Sequence, residues 1–482
     1  MTYILNHEGN PHLKFFEDIA AIPRGSYNEK GIADYICKFA EDHNLQYHRD
    51  NINNLLVRKP ASPGYESHPP VCMQGHMDMV CEKVPGTKHD FTKDPIALRV
   101  VDEDWLMGTD TTLGGDDGVA VALMLAILDD DSLPHPELEC IFTMGEEAGC
   151  IGSQAFDYSL IKSRKMIGLD GCTEGTSTVL TSGVILGNFY FPITYKKNQN
   201  PIYKLEATGL NAGHGGANMA KEQANAIKLI ARSLKAIRNA DIKYEIADIC
   251  GGTITNAIAE ECWVTIAAKE SDAIEIKTIF ESTFKDIQNE HKYSDPNMKC
   301  SFKEGDPTEC VIESNLALNL VDYLFMVPTG CYMRSLQYIG LPIASRNLGT
   351  IRIKDGQAII GYQFRATATS MLRDLFERGK MLAEIYNGTF ELLTEYHGYD
   401  VEPYSPFFNL WNEVYKEYSG KDVEIEAVHY GTDTGTFLEN IPDMDLIILS
   451  PILIDVHRPT ERLSISSFNR SYQYLKTILE RC

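Results

Sequence analysis

Positive charge is scarce in this sequence. Its 44 lysines and arginines face 68 aspartates and glutamates, giving a net charge of -24 and a pI near 5.0. Nucleic acid and anionic membrane are poor main partners for such a chain, since both select cationic surfaces. The twelve cysteines include no C-x-x-C pair and no dense cluster. They read as reduced, mostly buried thiols of a cytoplasmic protein rather than a disulfide framework. The longest apolar run, Val119 to Leu128, is too short to cross a bilayer. Met1 to Glu8 has neither a basic nor an apolar stretch, so no signal peptide is expected. Low-complexity tracts and short-period repeats are also missing. What is present, 44% hydrophobic and 23% charged residues over 482 positions, suits a soluble protein of two or more domains.

Several polar residues stand just after apolar runs. Pro70-Val71-Cys72-Met73 reads as the end of a buried strand and leads into His76, with Asp78 two residues on. Residues two apart in an extended chain face the same way, so the carboxylate can steer the imidazole. The Gly-rich turn Gly108–Gly118 carries Asp116 and Asp117 into a buried apolar helix. One aspartate would suffice to cap that helix, which leaves the other spare. The strand Leu138–Met144 is followed by Glu146 and Glu147, whose side chains diverge. One can bind a metal while the other addresses a water on it. Asp170 ends the apolar stretch that begins at Met166, and His457 follows the strand Asp445–Ser450.

Ligands of open α/β sheets bind beyond the carboxyl ends of strands, so these placements point to one site. Two histidines with three or four carboxylates suit metals of the zinc kind but are too many for one tetrahedral ion. A carboxylate shared between two ions about 3.5–4 Å apart resolves the count.

From about Leu186 to Leu392, strands and helices alternate with few clustered acids or histidines, as an inserted second domain would. The expected fold is an α/β catalytic domain with a mixed, mostly parallel sheet flanked by helices. Its parts are residues 1–185 and 397–482, with 186–396 inserted. Helical spacing runs from about Pro11 to Asn44, Glu222 to Ile237, Ala273 to His291 and Ser466 to Leu479. Val423 to Tyr430 reads as a strand and Lys83 to Lys93 as a surface loop or flap. His12, His43 and His89 read as surface residues, and Asp117 and Asp433 as capping or supporting groups.

Gln74–Val80, Thr111–Gly118, Thr143–Gly149, Asp170, His214-Gly215-Gly216 and His457-Arg458-Pro459 follow the order seen in dinuclear zinc exopeptidases. The whole chain most resembles their aminoacyl-histidine dipeptidase branch (Xaa-His dipeptidase, cytosol non-specific dipeptidase). The resemblance implies two divalent ions, zinc first, with manganese or cobalt as alternatives. It places His76 and Asp170 on one ion and Glu147 and His457 on the other, with Asp116 bridging. Asp78 orients His76, and Glu146 is the general base acting on the bridging water. His214 is an oxyanion donor from this chain or a partner subunit, and Asn256 helps bind substrate. The inserted α+β domain becomes a lid through which the family usually dimerises.

Four motifs depart from the family pattern. Gly115 and Asp117 flank Asp116 where Ala and Asn are usual. Gly215 replaces Ser, Asp433 replaces a frequent Glu, and Asp455-Val456 replaces a Gly-Pro pair. None removes a metal ligand; they bear on substrate range. The expected activity is hydrolysis of unblocked dipeptides, Xaa-His such as carnosine or a broader set. Tripeptidase, carboxypeptidase or aminoacylase activity is the alternative within the class. A non-catalytic binding protein on the same fold would have lost a ligand or the base, and none is lost.

Overall fold

The apolar run that is too short for a membrane is the central helix, Gly115–Asp129, of a computed structural model that describes residues 3–482. Every residue from Val119 to Leu128 is at most 1% exposed. A helix apolar on all sides must be covered on all sides. Helices Pro11–Ala20 and Ile465–Arg481 and the strand Val71–His76 pack against it. Gly75 allows the strand to come close, because a Cβ there would lie 2.2 Å from that of Ala120.

The first unit comprises the chain up to Thr181, Tyr399–Ala427 and Thr432–Cys482. Its main sheet is mixed and six-stranded, in the order Gln46–Arg49, Leu55–Lys59, Leu138–Thr143, Val71–His76, Lys165–Gly168, Asp445–Ile448. The last four run parallel, and the first two pair antiparallel. The mixed sheet with parallel strands read from the sequence is therefore present. A smaller four-stranded antiparallel sheet joins Leu98–Val101, Trp105–Gly108, Arg462–Ser464 and Leu453–Ile454.

The second unit is Ser182–Gly398 with Val428–Gly431. It contains a nine-stranded sheet whose pairings are all antiparallel. Helices Ala226–Asn239, Ala273–Glu290, Ser314–Met326 and Thr369–Ile385 cover it. Phe189, Tyr323, Tyr362 and Phe364 pack ring against ring in its core.

Four local readings change. The stretch from Pro11 to Asn44 is two helices, Pro11–Ala20 and Lys30–Asp42, interrupted around Pro23 and Gly25. The helix read from Glu222 begins at Ala226, because the Asn225 side chain accepts from Ile227 N and Lys228 N. The strand expected to reach Tyr430 stops at Ala427. Beyond it His429 is held between Ser182 Oγ (2.7 Å) and Ser345 Oγ (2.6 Å), so the block 397–482 is interrupted by four residues of the second unit. Finally, His12 is buried rather than on the surface, with Nε2 2.9 Å from Asn469 Oδ1 and its ring edge-on to Phe468. Among the described residues no helix is long and apolar enough to cross a membrane.

Candidate metal centre

The parallel strands aim their carboxyl ends at one place. His76 is the last residue of its strand, Asp170 lies two residues beyond Gly168, and Glu146 and Glu147 follow the strand that ends at Thr143. Asp116 comes from the start of the central helix, where its peptide bond to Asp117 is cis. His457 arrives differently from expected. It lies on the hairpin between Leu453–Ile454 and Arg462–Ser464 of the smaller sheet, not directly at the end of a parallel strand.

Three overlapping groups result: His76, Asp116 and Asp170; Asp116, Glu147 and His457; and His76, Glu146 and Glu147. Within each group the ligating atoms lie within 4.8 Å of one another. Asp116 belongs to the first two. Its Oδ1 is 3.1 Å from His76 Nε2 and its Oδ2 is 3.1 Å from His457 Nε2. Glu147 Oε1 lies 2.8 Å from His457 Nε2 but makes no hydrogen bond of acceptable angle. Two donors that face a shared third partner have this geometry.

The electrostatics point the same way. Burial pushes the carboxyls of Glu146 and Glu147 above their usual range and that of Asp170 to about 7. Burial opposes the charge on His457, yet Asp116 and Glu147 raise its pKa to about 11. The same contest raises His76, where Asp116 and Asp78 outweigh desolvation. The imidazoles overcome burial and hold Asp116 below the usual carboxylate range, but Glu146, Glu147 and Asp170 are left short of positive charge. A divalent cation supplies it, and the imidazole–carboxylate donor set is that of zinc-like ions. The residues present fit such a group.

Asp78, fully buried, lies 3.3 Å from His76 Nδ1. It also accepts from Ser26 Oγ at 2.7 Å, Glu146 N at 3.0 Å and Glu147 N at 3.2 Å. Asp117 accepts from the His76 backbone N–H at 3.1 Å. Asp433 does not cap its helix. It accepts from Thr143 Oγ1 and Ser153 Oγ and joins elements behind the centre. His214 and Asn256 belong to the second unit. There His214 Nδ1 accepts from Ala217 N at 3.0 Å, and the Asn256 carbonyl accepts from Gly215 N at 2.6 Å.

Three contributors escaped the sequence reading. Arg24 is 2% exposed and donates to Met77 O and Asp78 O, both at 2.9 Å, and to Gly114 O. Glu29 accepts from Gly145 N at 3.0 Å. Glu461 accepts backbone N–H groups from the turn that carries Asp116. The break at Pro23 and Gly25 could have flagged Arg24; Glu461 has no comparable local signal.

Comparison with known proteins identifies the family. The chain is 29% identical to cytosol non-specific dipeptidase of Escherichia coli (strain K12), over 98% of this chain and 97% of that protein. It superposes on the crystal structure of aminoacylhistidine dipeptidase from Vibrio alginolyticus with a TM-score of 0.83 and 27% identity, covering 98% and 96% of the two chains. A tripeptidase from Staphylococcus aureus shares the fold at 16% identity and a TM-score of 0.55, covering 99% and 98%. The profile of peptidase family M20/M25/M40 matches residues 72–481, a span that includes the whole acid and histidine cluster, and the chain belongs to that family.

Proposed function

We propose that this chain is a dipeptidase dependent on two divalent cations, hydrolysing unblocked dipeptides of the Xaa-His type or a broader set. One observation carries the reading: the two oxygens of Asp116 each lie 3.1 Å from a different imidazole, an arrangement that would let one carboxylate serve two cations. His76 and Asp170 would hold one ion, Glu147 and His457 the other. Zinc is the proposed native ion, with manganese and cobalt for comparison.

When bound, the ions supply Lewis acidity toward the scissile carbonyl and make water a nucleophile at neutral pH. Glu146 takes the proton from the attacking water and passes it to the leaving amine. Its half-buried place beside Glu147, with its N–H bonded to Asp78, suits a group that must both accept and release a proton close to the ligands. Asp78 sets the direction of the His76 ring. His214 accepts from Ala217 N at Nδ1, which leaves the ring proton of its neutral form on Nε2. That tautomer can donate to an oxyanion, the role proposed for His214, while Asn256 contributes to substrate binding.

A homodimer formed through the second unit is part of the proposal. The edge strand Thr389–Tyr396 exposes Leu392 (51%) and Leu393 (54%), and the neighbouring helix exposes Met381 and Ile385. Unpaired apolar edges of this kind favour association. A cytoplasmic location is proposed from the twelve cysteines, all of them free thiols.

The test is a peptide library assay on metal-depleted protein reconstituted with zinc, manganese or cobalt, with a chelator control. Chelator-sensitive cleavage of dipeptides is expected. Preferential cleavage of tripeptides or N-acyl amino acids would reassign the specificity, and no cleavage with any ion would end the peptidase reading.

A further inference from the structure

The turn that carries Asp116 is gripped from two sides. Its helix begins after Gly114, which has no side chain with which to cap the first amides. Glu461 does so from 345 residues away in sequence. Its Oε2 accepts from Leu113 N (2.8 Å) and Gly114 N (3.0 Å), and its Oε1 from Gly115 N (2.8 Å) and Asp116 N (3.2 Å). Four consecutive amides converging on one carboxylate form an anion nest, here filled by the protein itself. From the other side Arg24 donates to Gly114 O and to Met77 O and Asp78 O, tying the turn to the loop after His76. Both glycines matter. A Cβ at Gly114 would lie 2.6 Å from Arg24 Nη2, and one at Gly115 would lie 3.1 Å from Glu461 Oε1.

The proposed cation sites are not supported equally. His76 ends one of two adjacent parallel strands and Asp170 follows the other, and the strands register with each other through the sheet and the Leu169 N–Gln74 O bond. His457 sits on a hairpin loop, with its side chain 47% exposed and φ +65°. Glu461 is on that same loop, its N–H bonded to Arg458 O, and is the residue that returns the loop to the Asp116 turn.

We infer that Glu461 and Arg24 are positioning residues for the paired-cation site, and that Glu461 governs the Glu147–His457 position in particular. The inference rests on the two-cation reading above. Glu461→Gln keeps size and shape but turns an amide NH2 toward backbone donors. Zinc titration of metal-depleted protein by calorimetry, with bound metal counted after dialysis, reads both positions without recourse to activity. The wild type is expected to bind two ions. In E461Q one ion should keep its affinity and the other should weaken at least about tenfold, the usual cost of removing a partner that orients a ligand. Glu461→Asp, which keeps the charge but cannot reach all four amides, should show the same selective loss and serves if E461Q does not fold. Two ions bound with unchanged affinity, or equal weakening of both, would overturn the assignment. A wild type that binds fewer than two ions would overturn the two-cation reading, and this inference with it.

Discussion

The two units bury polar groups of different kinds. The first encloses Arg24, Asp78, Asp117, Asp433 and Glu461, each at most 2% exposed, around a centre that carries six more ionisable side chains. The second buries mostly neutral groups, among them Ser182, Ser233, Ser345, Asn347 and Gln363, beneath a sheet filled with aromatic rings. Burying charge is expensive, and an apolar replacement of similar volume usually serves stability as well or better. A fold that collects charge on one sheet and avoids it on the other is using the first for chemistry. The second unit, whose buried polar groups are mostly neutral, shows what the same chain builds where packing dominates the interior.

The comparison can be broken most sharply at Glu146. Glu146→Ala should lower kcat by about 100- to 10,000-fold while metal content stays unchanged. Retained turnover in a steady-state assay would remove the base from the first unit. Next comes His214, the second unit's proposed contribution. His214→Ala should lower kcat by about 100- to 1,000-fold without altering bound metal; an unaltered kcat would leave the second unit without chemistry. His457→Ala should reduce bound metal from two ions to one by elemental analysis, and an unchanged ratio would exclude it as a ligand.

The smallest effect concerns a feature the units share. Burial lowers the pKa of His12 in the first to about 4 and that of His429 in the second to about 3. An unfolded chain takes up these protons near pH 6.5, whereas the folded one refuses them until well below. Each imidazole therefore removes stability as pH falls from about 6.5 toward 4, and none above that window. Replacing either with Gln should flatten the decline of Tm across the window by a few degrees; an unchanged slope would show that the site titrates normally.

Much of the centre is readable in the sequence because local rules place it. An apolar run followed by His76, Glu146, Glu147 or Asp170 is a strand with a polar residue at its end, and such ends converge in a parallel sheet. Asp116 was visible as an aspartate that capping did not need. The loop of His457 was harder, since a two-residue strand, Leu453–Ile454, has no periodicity to detect. The roles of Arg24, flagged only by the break at Pro23 and Gly25, and of Glu461, with no local signal, are hidden for another reason. Their partners are backbone atoms far away in sequence, and nothing in a single arginine or glutamate announces that it will meet carbonyls or amides. His12 misled for the same cause: its environment is made by the last helix, through Phe468 and Asn469.

Asp78 has a mechanical consequence. One carboxylate anchors both the imidazole of His76 and the amides of Glu146 and Glu147. A displacement of any one of these groups must therefore strain its contact with the shared carboxylate, so their mutual spacing is set by Asp78 rather than by three separate supports.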